Sequence, residues 1–146
     1  MDHFYSRLLR FYHRFGKDYN AQFAPLLEET GLSMGEMNLL LFLANNPGLD
    51  TARDVTEYRG IAKSQVSASV EQLSRQEILR RCPDASDRRV VHLALTEKGK
   101  QLARRAQKRQ DESWEAAMSV LTPQEQAQLG AILEKLLAEE TEGETT

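Results

Sequence analysis

The stretch with the most evident chemistry is Pro83-Asp84-Ala85-Ser86-Asp87-Arg88-Arg89, polar throughout, cationic at its end and without an apolar anchor. Such a loop projects into solvent, and two adjacent guanidinium groups at its end suit a polyanion. Arg89 could reach into a minor groove, where narrow A·T tracts concentrate negative potential. Asp87, two residues earlier, could orient that guanidinium through a charge-assisted hydrogen bond. A plain surface salt bridge is the alternative for the same pair.

A second set of polar residues lies just upstream. Between Lys63 and Gln76, Val66, Val70 and Leu73 recur at i, i+4 and i+7, so a helix here turns them inward. Ser64, Gln65, Ala68, Glu71 and Arg75 then face outward, with Ser67 and Gln72 on the flanks. Gln65 could pair with adenine and Ala68 could touch a thymine methyl, a good bidentate pair being worth roughly 1–3 kcal/mol of discrimination. Lys63, Arg75 and, on the preceding segment, Thr51 and Arg53 suit phosphates, which set affinity and register but read no sequence. Glu71 would either repel phosphate or accept from cytosine.

The charge distribution agrees with such a partner although the net charge is −3. Residues 51–110 hold 14 Lys and Arg against 7 Asp and Glu, leaving 5 basic and 15 acidic residues for the rest of the chain. A basic middle between acidic ends presents one face to phosphates and keeps the rest away. A solvated charged helix is the plainer reading of the same numbers.

Other chemistries find little support. Cys82 and His92 could face one another across a hairpin, but a zinc site needs three or four protein ligands, and His3 and His13 are remote in sequence. Cys82 reads as a packed small thiol, and one cysteine permits no internal disulfide. No Gly-x-Ser-x-Gly elbow, phosphate loop or His-Glu-x-x-His occurs, so neither a catalytic residue nor a cofactor is expected. The longest nearly apolar run, Leu39 to Ala44, falls far short of the roughly 20 residues that span a bilayer. The start of the chain resembles no signal segment, and a cytoplasmic location is expected.

The elements that must position these residues follow from periodicity and punctuation. Phe4, Leu8, Phe11, Tyr12, Phe15, Tyr19 and Phe23 form one apolar helical stripe that requires a partner, and Pro25 should kink or end its helix. Ser33 to Glu36 reads as a capping box for a short apolar helix to about Ala44, followed by the turn signal Asn45-Asn46-Pro47-Gly48. Thr51 to Asp54 repeats the capping logic for a two-turn helix that Gly60 ends. Ile78 to Cys82 and Val90 to Leu95 read as two strands, the second alternating Val91, Leu93 and Leu95 against Val90, His92 and Ala94. Thr96 caps a long helix predicted to reach Val120, with Leu102, Ala106, Ser113, Ala117 and Leu121 on its less polar side. Thr122-Pro123-Gln124-Glu125 starts the last helix, whose stripe is Leu129, Ile132, Leu133, Leu136 and Leu137. The acidic tail from Glu139 to Thr146 is expected to fray.

Two short helices joined by a tight turn and followed by a hairpin with a basic tip give the order of a winged helix-turn-helix, whose second helix enters the major groove. Asp87-Arg88-Arg89 followed by Leu95-Thr96-Glu97-Lys98-Gly99 resembles the wing and helix-start signature of MarR-type regulators. Thr51-Ala52-Arg53-Asp54-Val55 resembles their first DNA-proximal helix. The resemblance covers nearly the whole chain in element order.

It implies a mostly α fold with a small β-hairpin wing. Residues 1–32 would form an N-terminal dimerisation helix, 33–96 the DNA-binding region, and 97–146 the C-terminal dimerisation helices and acidic tail of one intertwined domain. It further implies a homodimeric, ligand-responsive repressor on a pseudo-palindromic operator in double-stranded DNA, with an effector pocket between the dimer and DNA-binding regions. Phe11, Tyr12, Phe15, Tyr19 and Trp114 could line a pocket for a small aromatic effector, plain dimer core being their other use. The family's peroxide sensors carry a reactive cysteine in the N-terminal region, where this chain has none. The competing class of function is a winged helix turned protein-interaction module, its basic face meeting an acidic partner. Such a module would lack Arg88 and Arg89, and this chain has both.

Overall fold

The computed structural model describes residues 3–143, with side chains through Ala138. In chain order its elements are α1 (Phe4–Gln22), α2 (Ala24–Thr30), α3 (Met34–Asn45), α4 (Ala52–Arg59), α5 (Lys63–Arg75), β1 (Leu79–Pro83), β2 (Val91–Leu95), α6 (Glu97–Ala117) and α7 (Pro123–Gly143). The chain is therefore mostly helical with one antiparallel hairpin, as expected. Contacts divide it into two compact units, one up to Asp111 and one from Glu112 on.

Local chemistry sets most helix starts. Ser33 and Glu36 form a reciprocal capping box, with Glu36 N–H donating to Ser33 Oγ at 3.2 Å and Ser33 N–H to Glu36 Oε2 at 2.9 Å. Thr51 and Asp54 do the same for α4 at 3.1 and 3.0 Å, and Thr122 and Glu125 for α7 at 3.2 and 2.8 Å. Pro25 stands in the first turn of α2, where its missing N–H has no helical partner to lose, and α1 ends just before it. Gly60 ends α4 with φ 62°, a left-handed conformation that a residue without Cβ adopts at little cost.

The core of the first unit is built around α3. Met37, Leu39, Leu40, Leu41 and Phe42 are all buried, so this helix is apolar around most of its circumference and other elements cover it. Phe23, Leu26 and Leu32 join the same core from the N-terminal side, Val55 from α4, and Leu102, Ala103 and Ala106 from α6. Val66, Val70 and Leu73 of α5 face inward as their spacing predicts, at 3, 5 and 0% exposure.

The hairpin pairs Leu79 with Leu95, Cys82 with His92 and Pro83 with Val91. β1 is shifted one residue toward the C-terminus of the predicted Ile78–Cys82, and β2 starts one residue after the predicted Val90. Leu93 is buried, while Val91 is exposed at the outer end of the ladder. The alternation therefore marks a half-buried strand only where the hairpin meets the helices.

The Leu-Thr-Glu-Lys-Gly segment has an architectural meaning. Thr96 N–H donates to the Ile78 carbonyl at 3.0 Å, its hydroxyl donates to the Glu77 carbonyl at 2.6 Å, and the same hydroxyl accepts from Gly99 N–H at 3.1 Å. Lys98 Nζ donates to the Gln76 carbonyl at 2.8 Å. A Cβ at position 99 would stand 2.0 Å from the Ile78 carbonyl oxygen, so only glycine lets α6 start this close to the corner after α5. Glu77 in that corner has φ 57°, a left-handed turn that the surrounding bonds hold in place.

Two expectations need correction. α6 ends at Ala117 rather than near Val120: Ser119 Oγ and N–H both bond back to the Ala116 carbonyl and tighten the turn before Thr122. α7 continues through Glu139 to Gly143, so the acidic tail starts as helix, and residues 144–146 lie outside the described residues.

The N-terminal stripe is buried only at its end, with Phe23 in the core and Phe15 and Tyr19 half-buried, while its first half is exposed among the described residues. No residue of α1 is buried, and Phe4, Tyr5, Leu8, Leu9, Phe11 and Tyr12 are all exposed. In the second unit Ile132, Leu136 and Leu137 of α7 are exposed as well, while Leu129 and Leu133 are half-buried. Among the described residues no helix is long and apolar enough to cross a membrane.

Candidate nucleic-acid interface

α5 presents the predicted polar face. Lys63, Ser64, Gln65, Ser67, Ala68, Glu71 and Arg75 are exposed, and Gln72 is half-buried. Ala62 at its N-cap supplies no side-chain hydrogen bond, while its carbonyl accepts from Gln65 N–H at 3.0 Å, and the positive end of the helix dipole here favours an anion. Pocketed against this face is an open depression of about 400 Å³ between α3, α4 and α5, with Leu39, Val55 and Ile61 in its lining and Gln65 and Ala68 beside them.

Glu71 carries two ion pairs on this face. Its Oε1 accepts from Arg75 Nε at 3.1 Å and its Oε2 from Arg81 Nη2 at 3.0 Å. The bonds from Arg81 and then Arg75 hold its carboxyl below the usual carboxylate range. Glu71 therefore neutralises part of this cluster, fixes two guanidinium groups and ties the outward face of α5 to β1. Sequence reasoning missed Arg81, because the turn between Gln76 and Ile78 is what brings residues ten apart together.

The wing tip realises the expected pair. Arg89 Nε and Nη2 reach the two oxygens of Asp87, each at 3.2 Å, and Arg89 N–H also donates to Asp87 Oδ1 at 3.0 Å. These bonds hold the Asp87 carboxyl below its usual range. The Arg89 side chain is 90% exposed, so one edge of an oriented cation faces solvent. Arg88 is exposed beside it. On α4, Arg53 is exposed and paired with Glu57 at 2.8 Å, and Thr51 is occupied in the capping box.

Cys82 and His92 do stand opposite one another in the ladder, but the imidazole bonds elsewhere. His92 Nδ1 lies 2.7 Å from Asp50 Oδ1 and Nε2 lies 2.8 Å from Asp84 Oδ1. Asp50 first and Asp84 second raise the histidine above its ordinary range. His92 in turn, helped by the N–H groups of Ser86 and Asp87, holds the Asp84 carboxyl well below the usual carboxylate range. The sequence offered no signal for this arrangement beyond the presence of His92.

Of the aromatic residues proposed for an effector, Tyr12, Phe15 and Tyr19 line an open groove of about 630 Å³ along α1, together with His13, Lys17 and Asn20. Phe11 is not in that lining, and its ring stacks on Phe15 instead. Tyr19 OH accepts from Gln110 Nε2 at 2.8 Å, and its ring meets Phe23. Trp114 lies in the other unit. Among the described residues no group of three or more His, Cys, Asp or Glu could hold a metal ion.

Comparison with known proteins follows the same lines. Residues 30–90 match the model of the MarR family. An uncharacterized HTH-type transcriptional regulator of Bacillus subtilis, YybA, is 23% identical over 109 residues, which cover 75% of this chain and 72% of that one. A MarR transcriptional regulator from Methanosarcina mazei has the same fold, with a TM-score of 0.76 at 20% identity over 97% of this chain and 99% of that one. So does BpsR of Bordetella bronchiseptica, whose DNA binding is regulated by 6-hydroxynicotinic acid, with a TM-score of 0.66 at 24% identity over 90% and 96%.

Proposed function

We propose that this chain is a MarR-type, sequence-specific regulator of transcription that binds double-stranded DNA, a reading supported by the match of residues 30–90 to the family model. One observation carries the reading. The polar outward face of α5 is joined through Glu71, Arg75 and Arg81 to a hairpin that ends in the exposed, oriented Arg89. A helix of this kind fits the major groove, with Gln65 and Ala68 toward base edges and Lys63 and Arg75 toward phosphates, while the wing reaches the adjacent minor groove.

The working species is a homodimer. The exposed apolar residues of α1, and separately those of α7, are the surfaces that a second copy would cover. A two-fold dimer places its recognition helices about 34 Å apart, one turn of DNA, and so selects a pseudo-palindromic operator. The protein acts in the cytoplasm as a repressor, the commoner mode in the family, and answers a small aromatic effector. The α1 groove with Tyr12, Phe15 and Tyr19 supports that last assignment, as does the regulation of BpsR by 6-hydroxynicotinic acid.

The test is fluorescence anisotropy with the duplex upstream of the protein's own coding region and a scrambled duplex of the same length. Specific binding should exceed non-specific binding by about 10³-fold or more. Weak binding that does not distinguish the two duplexes would contradict the proposal and favour a protein-interaction module.

A further inference from the structure

A single imidazole ring joins the wing to the start of α4. His92 Nδ1 meets Asp50 Oδ1 at 2.7 Å and Nε2 meets Asp84 Oδ1 at 2.8 Å. A neutral imidazole has one N–H and one lone pair, so it can donate to only one of these carboxylates and would set its lone pair against the other. The imidazolium satisfies both, with two charge-assisted bonds.

Each carboxylate leads on to an element of the proposed interface. Asp50 precedes the Thr51 cap of α4, its carbonyl accepts from Leu93 N–H at 2.7 Å, and Thr51 pairs with His92 as an isolated bridge. Asp84 Oδ2 accepts from the N–H groups of Ser86 and Asp87 at 3.0 and 2.9 Å and so shapes the wing turn. Asp87 then holds Arg89. The chain of bonds runs without a gap from the cap of α4 to the guanidinium at the wing tip.

The charged groups around the ring come from several elements. The segment before α4 contributes Asp50 and the wing turn contributes Asp84, with the Asp87–Arg89 pair beyond it. α4 carries Asp54, which is engaged by Thr51 N–H, the Arg53–Glu57 pair, and Arg59 at its far end. β1 places the Cys82 thiol directly across the ladder, after Arg80 and Arg81, the latter held by Glu71. α3 also packs on β2, and its one charged residue, Glu36, caps its own N-terminus.

We propose that His92, in its doubly protonated form, is a positioning residue for the wing: it fastens the wing turn to the start of α4, and loss of its proton slackens Arg89 and weakens DNA binding. The DNA part rests on the function proposed above. The two flanking carboxylates raise the histidine, so the fastening persists above the ordinary histidine range. The sign is that of any group whose folded-state pKa is raised. Its stabilisation is complete below about pH 6.5, the unfolded value, and is lost as pH rises through the folded value.

The experiment follows the imidazole nitrogens of His92 and the amides of Ser86 and Asp87 by NMR in the full chain, from about pH 5 to about pH 8. Anisotropy with the upstream duplex covers the same range. The ring should titrate above about 6.5, and the two wing amides should shift with the same midpoint. Asp84→Asn should lower that midpoint, and affinity should fall by roughly five-fold or more across it, the low end of site-to-site coupling. His92→Gln should stay folded by circular dichroism and lose this step.

A ring that titrates at or below the ordinary value, wing amides that ignore its titration, or a parent pH profile shared by His92→Gln would each overturn the proposal. If the parent fails to prefer its upstream duplex at every pH, the DNA-binding reading fails instead. The NMR titration then decides the fastening by itself.

Discussion

The winged segment from Ser33 to Gly99 and the helix α1 solve the problem of apolar surface differently. In the first, Met37, Leu40, Val55, Val66, Leu73 and Leu79 are buried by the chain itself, and the helix starts are capped by Ser33, Thr51 and Thr96. In α1 no residue is buried, although its stripe is as regular as any in the chain. Burial is worth roughly 25 cal/mol per Å² of apolar surface, so the exposed Phe4, Tyr5, Leu8, Leu9, Phe11 and Tyr12 are a strong drive toward association. The difference teaches that one region is finished by the chain alone, while the other leaves apolar surface that, on the proposed reading, a second copy covers.

The most forceful way to break the comparison is to charge the unfinished surfaces. Leu8→Asp combined with Ile132→Asp should leave each chain folded, because both side chains are exposed, and convert the dimer to monomer in sedimentation velocity. Affinity for a two-site operator should then fall by about 100-fold or more, as avidity is lost. Leu133→Asp should damage fold and dimer together, since Leu133 is half-buried.

Within the finished region, Gly99→Ala should be the costliest small change. Its Cβ meets a carbonyl oxygen at 2.0 Å, backbone that cannot step aside cheaply. Urea denaturation should show a loss of about 3 kcal/mol, the upper end of the overpacking range. Arg89→Ala should weaken DNA binding by about ten-fold, roughly 1.4 kcal/mol, with an unchanged melting temperature, since the side chain is 90% exposed. Ser33→Ala, which removes one half of a capping box, should cost about 1 kcal/mol of stability and leave DNA specificity intact.

What was legible in the sequence follows the same divide. Capping boxes, the inward valines of α5, the Asp87–Arg89 pair and the left-handed Gly60 are local, each set by residues within a few positions of one another. The pairing of Glu71 with Arg81 was not legible, because Arg81 arrives through the corner at Glu77 and no spacing rule connects the two. His92 was set beside Cys82, and the ladder agrees, yet the ring direction is decided by Asp50, 42 residues away. The end of α6 was overestimated because the apolar pattern continues to Leu121, while the backbone is turned by Ser119. Long-range polar contacts have no periodicity, and periodicity is most of what a single sequence offers.

The most direct test of a two-fold DNA reader is the mass of the complex on the upstream duplex, measured by sedimentation equilibrium at saturating protein and at several salt concentrations. Two chains per duplex are expected, with an association constant whose logarithm falls by about 0.9 per phosphate contact for each decade of salt. One chain per duplex at saturation, or no complex at low salt, would contradict the two-fold reading.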